Sequence, residues 1–472
     1  MNEIMIPLSH DAKIPLYLQI YEHIKKEITD GKIPCGEKLP STRFLSAHLQ
    51  VSRSTVELAY EQLVSEGYIE AEPYRGYFIC DVSDLFDLRE KEKDGEEAKE
   101  KKQRYRETEI RIDFSPTAVD LEHFAINAWR KVSRNLLMED GSRLFLAGEG
   151  TGERSFREEI CNYLYQSRGV SCEPDQVIVG AGNEYLLMLL SQILGSGRKV
   201  AMESPTYMQA YETFRNLGYE VRAVEMDVQG IRMEKLKEEE TDIVYVMPSH
   251  QFPLGTVMPM KRRMELLKWA AEREERYIIE DDHDSEFRYK GKPIPSLQGS
   301  DSNDKVIYLG TFSKSLAPSI RVSYLVLPKK LVSLYRERCG FYASTVPRFQ
   351  QMTICTFMQE GHFERHLNKM RSIYRRKHDF LMEELKQRQW VRKVYGDNAG
   401  MHVLAEVNSN FSDRELARLA AGIGIRIYPL SEYYIEKDRA MEHPTILLGY
   451  GGLSEEEIAS GLKELDKIML FF

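Results

Sequence analysis

The sequence predicts a multidomain protein: a small α+β domain of three helices and a β-hairpin, then a larger α/β body with a mostly parallel sheet. Three observations predict this division. The chain has 472 residues, more than one ordinary hydrophobic core contains. A strongly charged stretch interrupts it near residue 90. Beyond that stretch, short β-branched runs alternate with helix-patterned segments, as in sheets that helices cover on both faces.

The composition restricts the classes of protein to consider. A 42% hydrophobic and 29% charged chain is typical of soluble globular proteins, and a net charge of −9 argues against a general polyanion binder. The six cysteines are scattered without a CxxC pair, which favours reduced thiols. The start of the chain lacks a leader pattern, and the longest near-apolar run, 185–194, is too short for a membrane span. We expect a cytoplasmic protein.

Residues 1–82 carry the patterns of the small domain. In PLYLQIYEHIKKEI, Ile20, Ile24 and Ile28 recur at helical spacing behind Pro15. A second helix follows in LPSTRFLSAHLQ, and Ser52 is placed to cap a third one. That third helix is predicted to carry Val56, Tyr60, Leu63 and Val64 and to end at Gly67. YIEAEPYRGYFIC alternates around a turn as a hairpin does, so the domain is predicted to be a winged helix-turn-helix.

Residues 83–111 are predicted to be a charged linker. From Asp87 to Glu109, 17 of 23 residues are charged and the two signs nearly cancel. Such a stretch has little to bury, so it is a solvated linker or a frayed helix, with a functional charged tail as the alternative.

The body is predicted to begin at residue 112. Its strand candidates are DQVIVG, RKVAME, DIVYVMP, RYIIEDD and KVIYLGT, and MKRRMELLKWAAERE has a helical pattern. In parallel sheets ligands collect where strands end, and the polar clusters of the body lie at such ends.

The segment GKIPCGEKLPSTRFLSAHLQVSRSTVELAYEQLVSEGYIEAEPYRGYFI resembles the GntR family of winged-helix regulators. The resemblance implies that DNA is contacted by Arg43, Ser52, Arg53 and Thr55, with Arg75 and Gly76 in the wing. The residue types agree for the first turn of the third helix, where hydroxyls bind phosphate and an arginine can fork onto guanine. Residues 1–82 hold 8 Lys and Arg against 12 Asp and Glu, so binding must depend on a few focused cations and on two copies per operator. A trihelical protein-interaction domain is the alternative.

LGTFSKSLAPSIRVSYLV, residues 309–326, places one lysine among hydroxyls and seven residues before an arginine. Two cations this close suggest an anion between them. The stretch resembles the cofactor lysine motif of fold-type I aminotransferases, which bind pyridoxal 5′-phosphate (PLP). The resemblance implies that Lys314 forms a Schiff base with PLP, while Thr311, Ser313 and Arg321 hold the phosphate.

Three further segments match this family. IVGAGNEYLLMLL places Gly182 and Asn183 at a strand-to-helix turn whose N–H groups can face a phosphate. ESPTYMQAY makes Tyr207 the candidate for the ring that stacks on the pyridine. RYIIEDDHDSEFRY offers Asp281, which would bond the pyridinium nitrogen and keep it protonated. His283 stands where relatives usually carry a tyrosine that contacts the ring 3-oxygen.

The same acidic run has a second interpretation, a metal site. The possible ligands are Asp281, Asp282, His283, Asp284 and Glu286. We predict no metal, because the lysine motif and the glycine turn stand where the PLP interpretation requires them.

A GntR-type head, a charged linker and an aminotransferase-like body together resemble the MocR subfamily of transcription regulators. The resemblance implies a fold-type I body over 112–472 whose small α+β subdomain begins near residue 360. It also implies a domain-swapped, head-to-tail homodimer that binds promoter DNA. The body would sense an amine, an amino acid or a B6 vitamer through the PLP–lysine linkage.

The alternative is an active aminotransferase with an appended DNA-binding head. Two departures lower this expectation. Phe252 stands where active relatives usually keep an asparagine that contacts the ring oxygen, and TILLGYGGL lacks an arginine that many aminotransferases use for the substrate carboxylate. Arg426 could supply a carboxylate contact from another direction.

Overall fold

The structure is a computed structural model that describes residues 6–9, 14–81, 109–289, 291, 294–396, 399–436 and 442–469. The chain divides into two compact units, 1–107 and 108–472. The predicted charged linker, 83–111, lies almost entirely outside the described residues, so its boundaries stay predictions. Among the described residues, no helix combines the length and apolar composition that a membrane span requires.

The first unit contains three helices and a hairpin. The helices are α1 (Leu16–Thr29), α2 (Thr42–Leu49) and α3 (Arg53–Ser65), and the hairpin consists of β1 (Ile69–Glu72) and β2 (Gly76–Ile79). The strands pair antiparallel from Ile69 opposite Ile79 to Glu72 opposite Gly76. This is the predicted winged helix-turn-helix arrangement.

The core of the first unit follows the predicted helical spacing. Pro15 stands at the N-terminus of α1, and Ile20, Ile24 and Ile28 are at most 2% exposed. All four residues predicted for the third helix lie in α3. Val56, Tyr60 and Leu63 are fully buried, whereas Val64 is 37% exposed, because it lies next to Leu63 and a helix turns about 100° per residue.

The second unit is built on an eight-stranded sheet with the strand order β4-β11-β10-β9-β8-β5-β6-β7. Neighbours from β10 through β6 are parallel, and β11 runs antiparallel to β10 and β4. The strands are β4 (Val177–Gly180), β5 (Lys199–Ser204), β6 (Glu220–Asp227), β7 (Gly230–Ile231), β8 (Ile243–Val246), β9 (Tyr277–Asp282), β10 (Val306–Thr311) and β11 (Ser323–Val326). All five predicted strands are present.

Helices cover this sheet, and β8, β9 and β10 are buried along their whole length. Burial on both faces explains why these strands are continuous apolar runs rather than alternating ones. The helices of the second unit are α4 (Ile126–Glu139), α5 (Arg154–Arg168), α6 (Asn183–Leu194), α7 (Met208–Asn216), α8 (Met233–Glu238), α9 (Met260–Ala271), α10 (Lys329–Cys339), α11 (Arg348–Gln359), α12 (His362–Lys386), α13 (Asp413–Gly422) and α14 (Glu455–Met469).

A smaller antiparallel sheet forms the C-terminal part, in the order β12-β13-β16-β15. Two further short strands, β3 and β14, pair in parallel and connect the start of the body with this part. The bounds are β3 (Ile112–Asp113), β12 (Val391–Tyr395), β13 (His402–Val407), β14 (Ile425–Arg426), β15 (Tyr428–Pro429) and β16 (Thr445–Gly449).

Candidate functional site

A cavity of about 450 Å³ opens at the carboxyl ends of β9 and β10. This is the edge of a parallel sheet where ligands bind. It is lined by eight of the predicted cofactor residues: Asn183, Tyr207, Asp281, His283, Thr311, Ser313, Lys314 and Arg321. They come from five separate stretches of chain, and the fold brings them to one place.

Lys314 follows the end of β10, and its Nζ donates a hydrogen bond to the carbonyl oxygen of Pro116 at 3.1 Å. Burial lowers the pKa of Lys314 to about 8, although the nearby Asp284 carboxylate opposes the shift. A substantial fraction of this amine is therefore neutral near physiological pH, which is the form that attacks a carbonyl.

Arg321 adopts a left-handed backbone with φ +49°, and its Nη2 lies 2.7 Å from Glu184 Oε2. The guanidinium packs on the backbone of Gly182, where an added Cβ would lie 2.3 Å from Nη2. The Gly182 N–H donates to the Gly180 carbonyl, so it is turned away from the predicted phosphate contact. A glycine is needed at position 182 for the close approach of the arginine.

Hydroxyl groups surround the end of β10. The Thr311 hydroxyl accepts hydrogen bonds from the Ser313 N–H at 3.1 Å and from the Ser323 hydroxyl at 2.9 Å. Ser323 also lines the cavity, although the sequence did not single it out. The antiparallel pairing of Thr311 with Ser323 places it there.

Asp281 lies at the end of β9 and is 3% exposed. The Tyr245 hydroxyl donates a hydrogen bond to its Oδ2, whereas its Oδ1 is buried without a partner. Burial raises the pKa of Asp281 to about 7. A cation or a donor in the cavity would satisfy the free oxygen.

The next carboxylate, Asp282, points to the opposite side of the strand. It accepts from Arg168 Nε at 2.7 Å and from the Tyr308 hydroxyl at 2.6 Å. Arg168 is 4% exposed and also donates to the Ser249 hydroxyl. This ion pair neutralises Asp282. Asp281 and Asp282 can therefore occupy consecutive positions of a buried strand although both carry a carboxyl group.

His283 lines the cavity beside a buried pair formed by Asp284 and His250, whose Nδ1 lies 2.8 Å from Asp284 Oδ1. The His283 Nε2 lies 3.3 Å from the same oxygen but makes no hydrogen bond. Burial alone would raise the pKa of Asp284, but its close contacts with His250 and His283 hold that pKa well below its usual range. Burial lowers the pKa of His283, so a neutral imidazole faces the cavity.

Phe252 is 5% exposed and forms the aromatic part of the cavity wall. Its ring makes edge contacts with Tyr207, Tyr433 and His402, with centroids 5.2–6.1 Å apart. A phenyl ring at this position packs well and supplies no hydrogen bond to a ligand.

The residues that the sequence offered as alternative metal ligands do not all lie together. Asp281, Asp282 and Glu286 bond separately to Tyr245, Arg168 and Tyr163, and do not form one cluster. The described residues contain one group with metal-ligand spacing, His250, His283 and Asp284, whose atoms lie within 4.8 Å. Arg426 does not line the cavity; it pairs with Asp113 at 3.3 Å.

In the first unit, the predicted DNA-contacting residues lie on α2, at the start of α3 and on the hairpin. The Ser52 hydroxyl caps α3 by accepting from the Thr55 N–H at 3.2 Å, and Arg53 is exposed and pairs with Glu57 at 2.8 Å. Arg43 is exposed on α2.

The wing supplies the other two predicted positions. Arg75 pairs with Glu72 across the turn and lies over the Phe78 ring. Gly76 has φ +114°, a backbone conformation that favours glycine.

Several lining residues were not predicted, namely Thr117, Ala118, Glu184, Gln209, Met247, Pro318 and Ser323. Glu184 could have been found from its position, one residue past Asn183 at the start of α6. Thr117 and Ala118 come from an irregular segment that carries no sequence pattern.

Comparison with known proteins agrees with this geometry. Residues 112–441 match the aminotransferase class I and II family, and residues 16–79 match the bacterial regulatory proteins of the gntR family. The "Uncharacterized HTH-type transcriptional regulator YdeL" of Bacillus subtilis is 42% identical over 97% of each chain. The "Probable rhizopine catabolism regulatory protein MocR" of Rhizobium meliloti is 30% identical and covers 99% of this chain and 96% of its own. A multiple substrate aminotransferase from Thermococcus profundus has a TM-score of 0.68 at 24% identity, over 79% of this chain and 97% of its own.

The first family implies PLP as the cofactor, and the cavity fits it. The buried Asp281 Oδ1 lacks a partner, as a site for a protonated ring nitrogen requires, and the buried Asn183 Oδ1 also lacks one. Arg321, Ser313 and Thr311 supply a cation and hydroxyls for a phosphate. Lys314 supplies the amine.

The family matches cover the head and most of the body, and the full-length relatives carry both parts in the same order. This chain belongs to the MocR group of regulators, in which a GntR-type winged helix precedes an aminotransferase class I and II domain.

Proposed function

We propose that this chain is a PLP-dependent transcription regulator that works at promoters in the cytoplasm. Its head binds promoter DNA, and its body binds a small amine, amino acid or B6 vitamer in the PLP cavity. One observation carries the proposal: a DNA-binding fold precedes, in the same chain, a cavity that gathers Asp281 with Lys314 and Arg321 from two separate segments. Binding in the cavity would change the affinity of the heads for DNA.

When bound, PLP supplies an aldehyde that captures primary amines and a ring that withdraws electrons. Lys314 holds it through an amine that is partly neutral at physiological pH. Arg321, Thr311 and Ser313 bind the phosphate, and their geometry is set by the turn after β10. Asp281 would face the ring nitrogen and hold a proton there, because a buried carboxylate with a free oxygen favours a cationic partner.

His283 contributes an uncharged imidazole to the same wall. Asp284 is hydrogen-bonded to His250 Nδ1, whereas the His283 Nε2 makes no hydrogen bond with that carboxylate. The nitrogen is free to exchange a proton with a bound group.

The exposed α3 start supports the DNA-binding role of the head. Ser52, Arg53 and Thr55 lie in its first turn, where a recognition helix enters the major groove. Arg53 is 65% exposed on its side chain and reaches solvent despite its pair with Glu57. An arginine so placed can fork onto guanine O6 and N7.

The proposal includes a homodimer. Its arrangement is the domain-swapped, head-to-tail one that the family resemblance implies. Large apolar side chains are exposed on the body: Met138 at 76%, Phe145 at 76%, Leu146 at 61% and Phe341 at 78%. Arg348 Nη1 donates to the Arg143 carbonyl at 3.3 Å, which joins the start of α11 to the segment that carries Phe145. Such clusters on soluble proteins mark protein–protein contacts.

Dedicated transamination is the competing function. Two features disfavour it: Phe252 supplies no hydrogen bond to a ligand, and Arg426, the possible substitute for the arginine that TILLGYGGL lacks, pairs with Asp113 and does not line the cavity. Repeated amino-group transfer with common amino and keto acids would favour the enzyme instead.

Lys314→Ala tests the cofactor part of the proposal. We expect the visible absorbance band of the PLP-loaded protein to disappear, since the alanine side chain has no amine to hold the carbonyl carbon. The measurement is the absorbance spectrum after PLP addition and gel filtration. An unchanged spectrum would refute the assignment of Lys314.

Arg53→Ala is the complementary variant. We expect operator binding, measured by mobility shift, to fall at least about tenfold, the order expected for loss of one bidentate base contact. The absorbance band of bound PLP should be unchanged in this variant. Loss of both signals would mean that Arg53 supports folding rather than recognition.

A further inference from the structure

Two cysteines of the body lie in contact with each other. The Cys172 thiol donates a hydrogen bond to the Cys161 sulfur at 3.4 Å, and both side chains are partly exposed. Neither of them lines the PLP cavity. A disulfide bond is about 2.0 Å long, so the two sulfur atoms must approach by about 1.4 Å to form one. The structure therefore holds a pair of thiols that a small movement can join.

A reversal of the chain at the end of α5 produces this contact. Cys161 lies seven residues before the last residue of α5, a distance of about 10 Å along a helix. Gly169 ends the helix with φ +67°, and the Val170 N–H donates to the Leu164 carbonyl at 3.3 Å. Three extended residues also span about 10 Å, so Cys172 returns to the level of Cys161. The backbone path thus sets the proximity of the two thiols.

The two thiols differ in acidity. The hydrogen bond from Cys172 lowers the pKa of Cys161, and the Arg157 guanidinium adds to this effect, although burial opposes it. The same hydrogen bond, together with burial, raises the pKa of Cys172. Peroxides oxidise thiolates, so Cys161 is the sulfur that reacts first and Cys172 is the one that closes the disulfide.

The segment 168–172 lies against β9, the strand that carries Asp281. At the start of this segment, Arg168 Nε donates to Asp282 Oδ2 at 2.7 Å, and Asp282 directly follows Asp281. The Arg168 carbonyl accepts from the Ser296 N–H at 2.8 Å. One neighbour of Asp281 is therefore bonded to the segment.

The other neighbour of Asp281 is linked to the residue beside Cys172. Ser171 exchanges two hydrogen bonds with the Gln298 side chain, at 3.1 Å and 3.0 Å. The Gln298 N–H in turn donates to Glu280 Oε2 at 2.8 Å, and Glu280 directly precedes Asp281. Because hydrogen bonds of this length are lost when their atoms separate by a further ångström, a movement of Cys172 reaches this link.

We propose that Cys161 and Cys172 form an oxidation site, at which a peroxide produces a reversible disulfide that weakens the binding of PLP. The effect on PLP follows because the disulfide draws the segment toward α5 and loosens the contacts that order the strand around Asp281. The link to the cofactor rests on the proposed function, whereas formation of the disulfide does not.

The reaction balances with a peroxide as the oxidant. The Cys161 thiolate attacks one peroxide oxygen, the O–O bond breaks, and the leaving hydroxide takes up a proton to become water. Cys161 then carries a sulfenic acid. The Cys172 sulfur gives up its proton and attacks the Cys161 sulfur, the S–O bond breaks, and a second water leaves. The two thiols together lose two electrons and two protons, and the peroxide is reduced to two waters.

Peptide mapping tests formation of the disulfide. The full-length protein is reduced, freed of reductant, treated with hydrogen peroxide, alkylated and digested with trypsin without further reduction. Trypsin cuts after Arg157, Arg168 and Arg198, so the two cysteines fall on separate peptides, 158–168 and 169–198. We expect these peptides to appear linked, two hydrogen atoms lighter than their sum, and to separate after dithiothreitol. If both peptides stay unlinked after peroxide treatment, the proposal is overturned.

The effect on the cofactor is measured by absorbance titration with PLP before and after peroxide. We expect the dissociation constant to rise about threefold or more, the order of one lost hydrogen bond, and to recover with dithiothreitol. Cys161→Ser should bind PLP as the reduced protein does, with or without peroxide. Cys35→Ser removes an exposed thiol of the head and is the matched control, which should keep the full response.

The outcomes separate the two claims. A linked pair of peptides with an unchanged dissociation constant would overturn the link between the disulfide and the cofactor. An equal response to peroxide in Cys161→Ser would assign the effect to another group and overturn it as well. Failure of the reduced protein to hold PLP would instead overturn the proposed function.

Discussion

At the scale of single residues, Asp281 shows a conflict between stability and ligand binding. Its carboxylate is buried with one oxygen unsatisfied, and burial raises its pKa from 3.8 to about 7. Without a ligand, the folded chain retains a proton on Asp281 that the unfolded chain has lost between about pH 4 and 7. The contribution of Asp281 to the free energy of unfolding therefore decreases as the pH rises through this window.

Asp281→Asn is expected to stabilise the PLP-free protein at pH 8, by on the order of 2 kcal/mol, because the buried charge is removed. The gain should shrink toward pH 5, where the wild-type carboxyl is largely protonated. PLP affinity should fall, since an amide cannot balance a protonated ring nitrogen. Denaturant unfolding at both pH values and PLP titration measure the two effects.

Glu203→Gln is the control for this prediction. Glu203 is 1% exposed, its pKa is also raised to about 7 by burial, and it does not line the cavity. It should reproduce the pH-dependent stabilisation and leave PLP affinity unchanged. Equal loss of PLP affinity in both variants would show that Asp281 acts through general packing.

At the scale of elements, two helices of the head begin with the same cap and differ in their expected role. The Ser41 hydroxyl accepts from the Phe44 N–H at 3.2 Å at the start of α2, and the Ser52 hydroxyl accepts from the Thr55 N–H at 3.2 Å at the start of α3. Each cap satisfies an N–H group that its helix leaves free.

Ser41→Ala and Ser52→Ala should each lower the free energy of unfolding of the head by about 1 kcal/mol. Ser52→Ala should weaken operator binding more than Ser41→Ala, because the Ser52 hydroxyl is itself a predicted DNA contact and the Ser41 hydroxyl is not. Thermal unfolding of the head and mobility-shift assays separate the two effects. Equal loss of operator affinity in both variants would contradict the assignment of α3.

The large sheet also shows which residues of the site the sequence can predict and which it cannot. Lys314, Thr311 and Ser313 lie within four residues, so a local pattern predicts them. Ser323 enters the site through its pairing with Thr311 across two antiparallel strands, and a register of this kind cannot be read from local pattern. The buried Arg168, which pairs with Asp282, was missed for a different reason. A charged residue on a helix ordinarily predicts an exposed face.

At the scale of the whole molecule, self-association is the property most open to test. Phe145 and Phe341 on the body are 76% and 78% exposed. Combining Phe145→Asp with Phe341→Asp should shift the protein from dimer to monomer, since two desolvated carboxylates would oppose an apolar contact. Sedimentation over a concentration series measures this.

Val228→Asp is the matched control, because Val228 is 86% exposed on the connection between β6 and β7. It should leave the association unchanged. A dimer that persists in the double variant would place the interface elsewhere on the body.

The segment 111–118 touches both the C-terminal part and the ligand cavity. Ile112 pairs with Ile425, Phe114 is fully buried, and Phe114 N–H donates to the Arg426 carbonyl at 3.0 Å. A few residues later, the Pro116 carbonyl accepts from Lys314, and Thr117 lines the cavity. The body therefore begins at the wall of its own cavity. A ligand that displaced the contact of Lys314 with Pro116 would act on the part of the body that is nearest to the head in sequence.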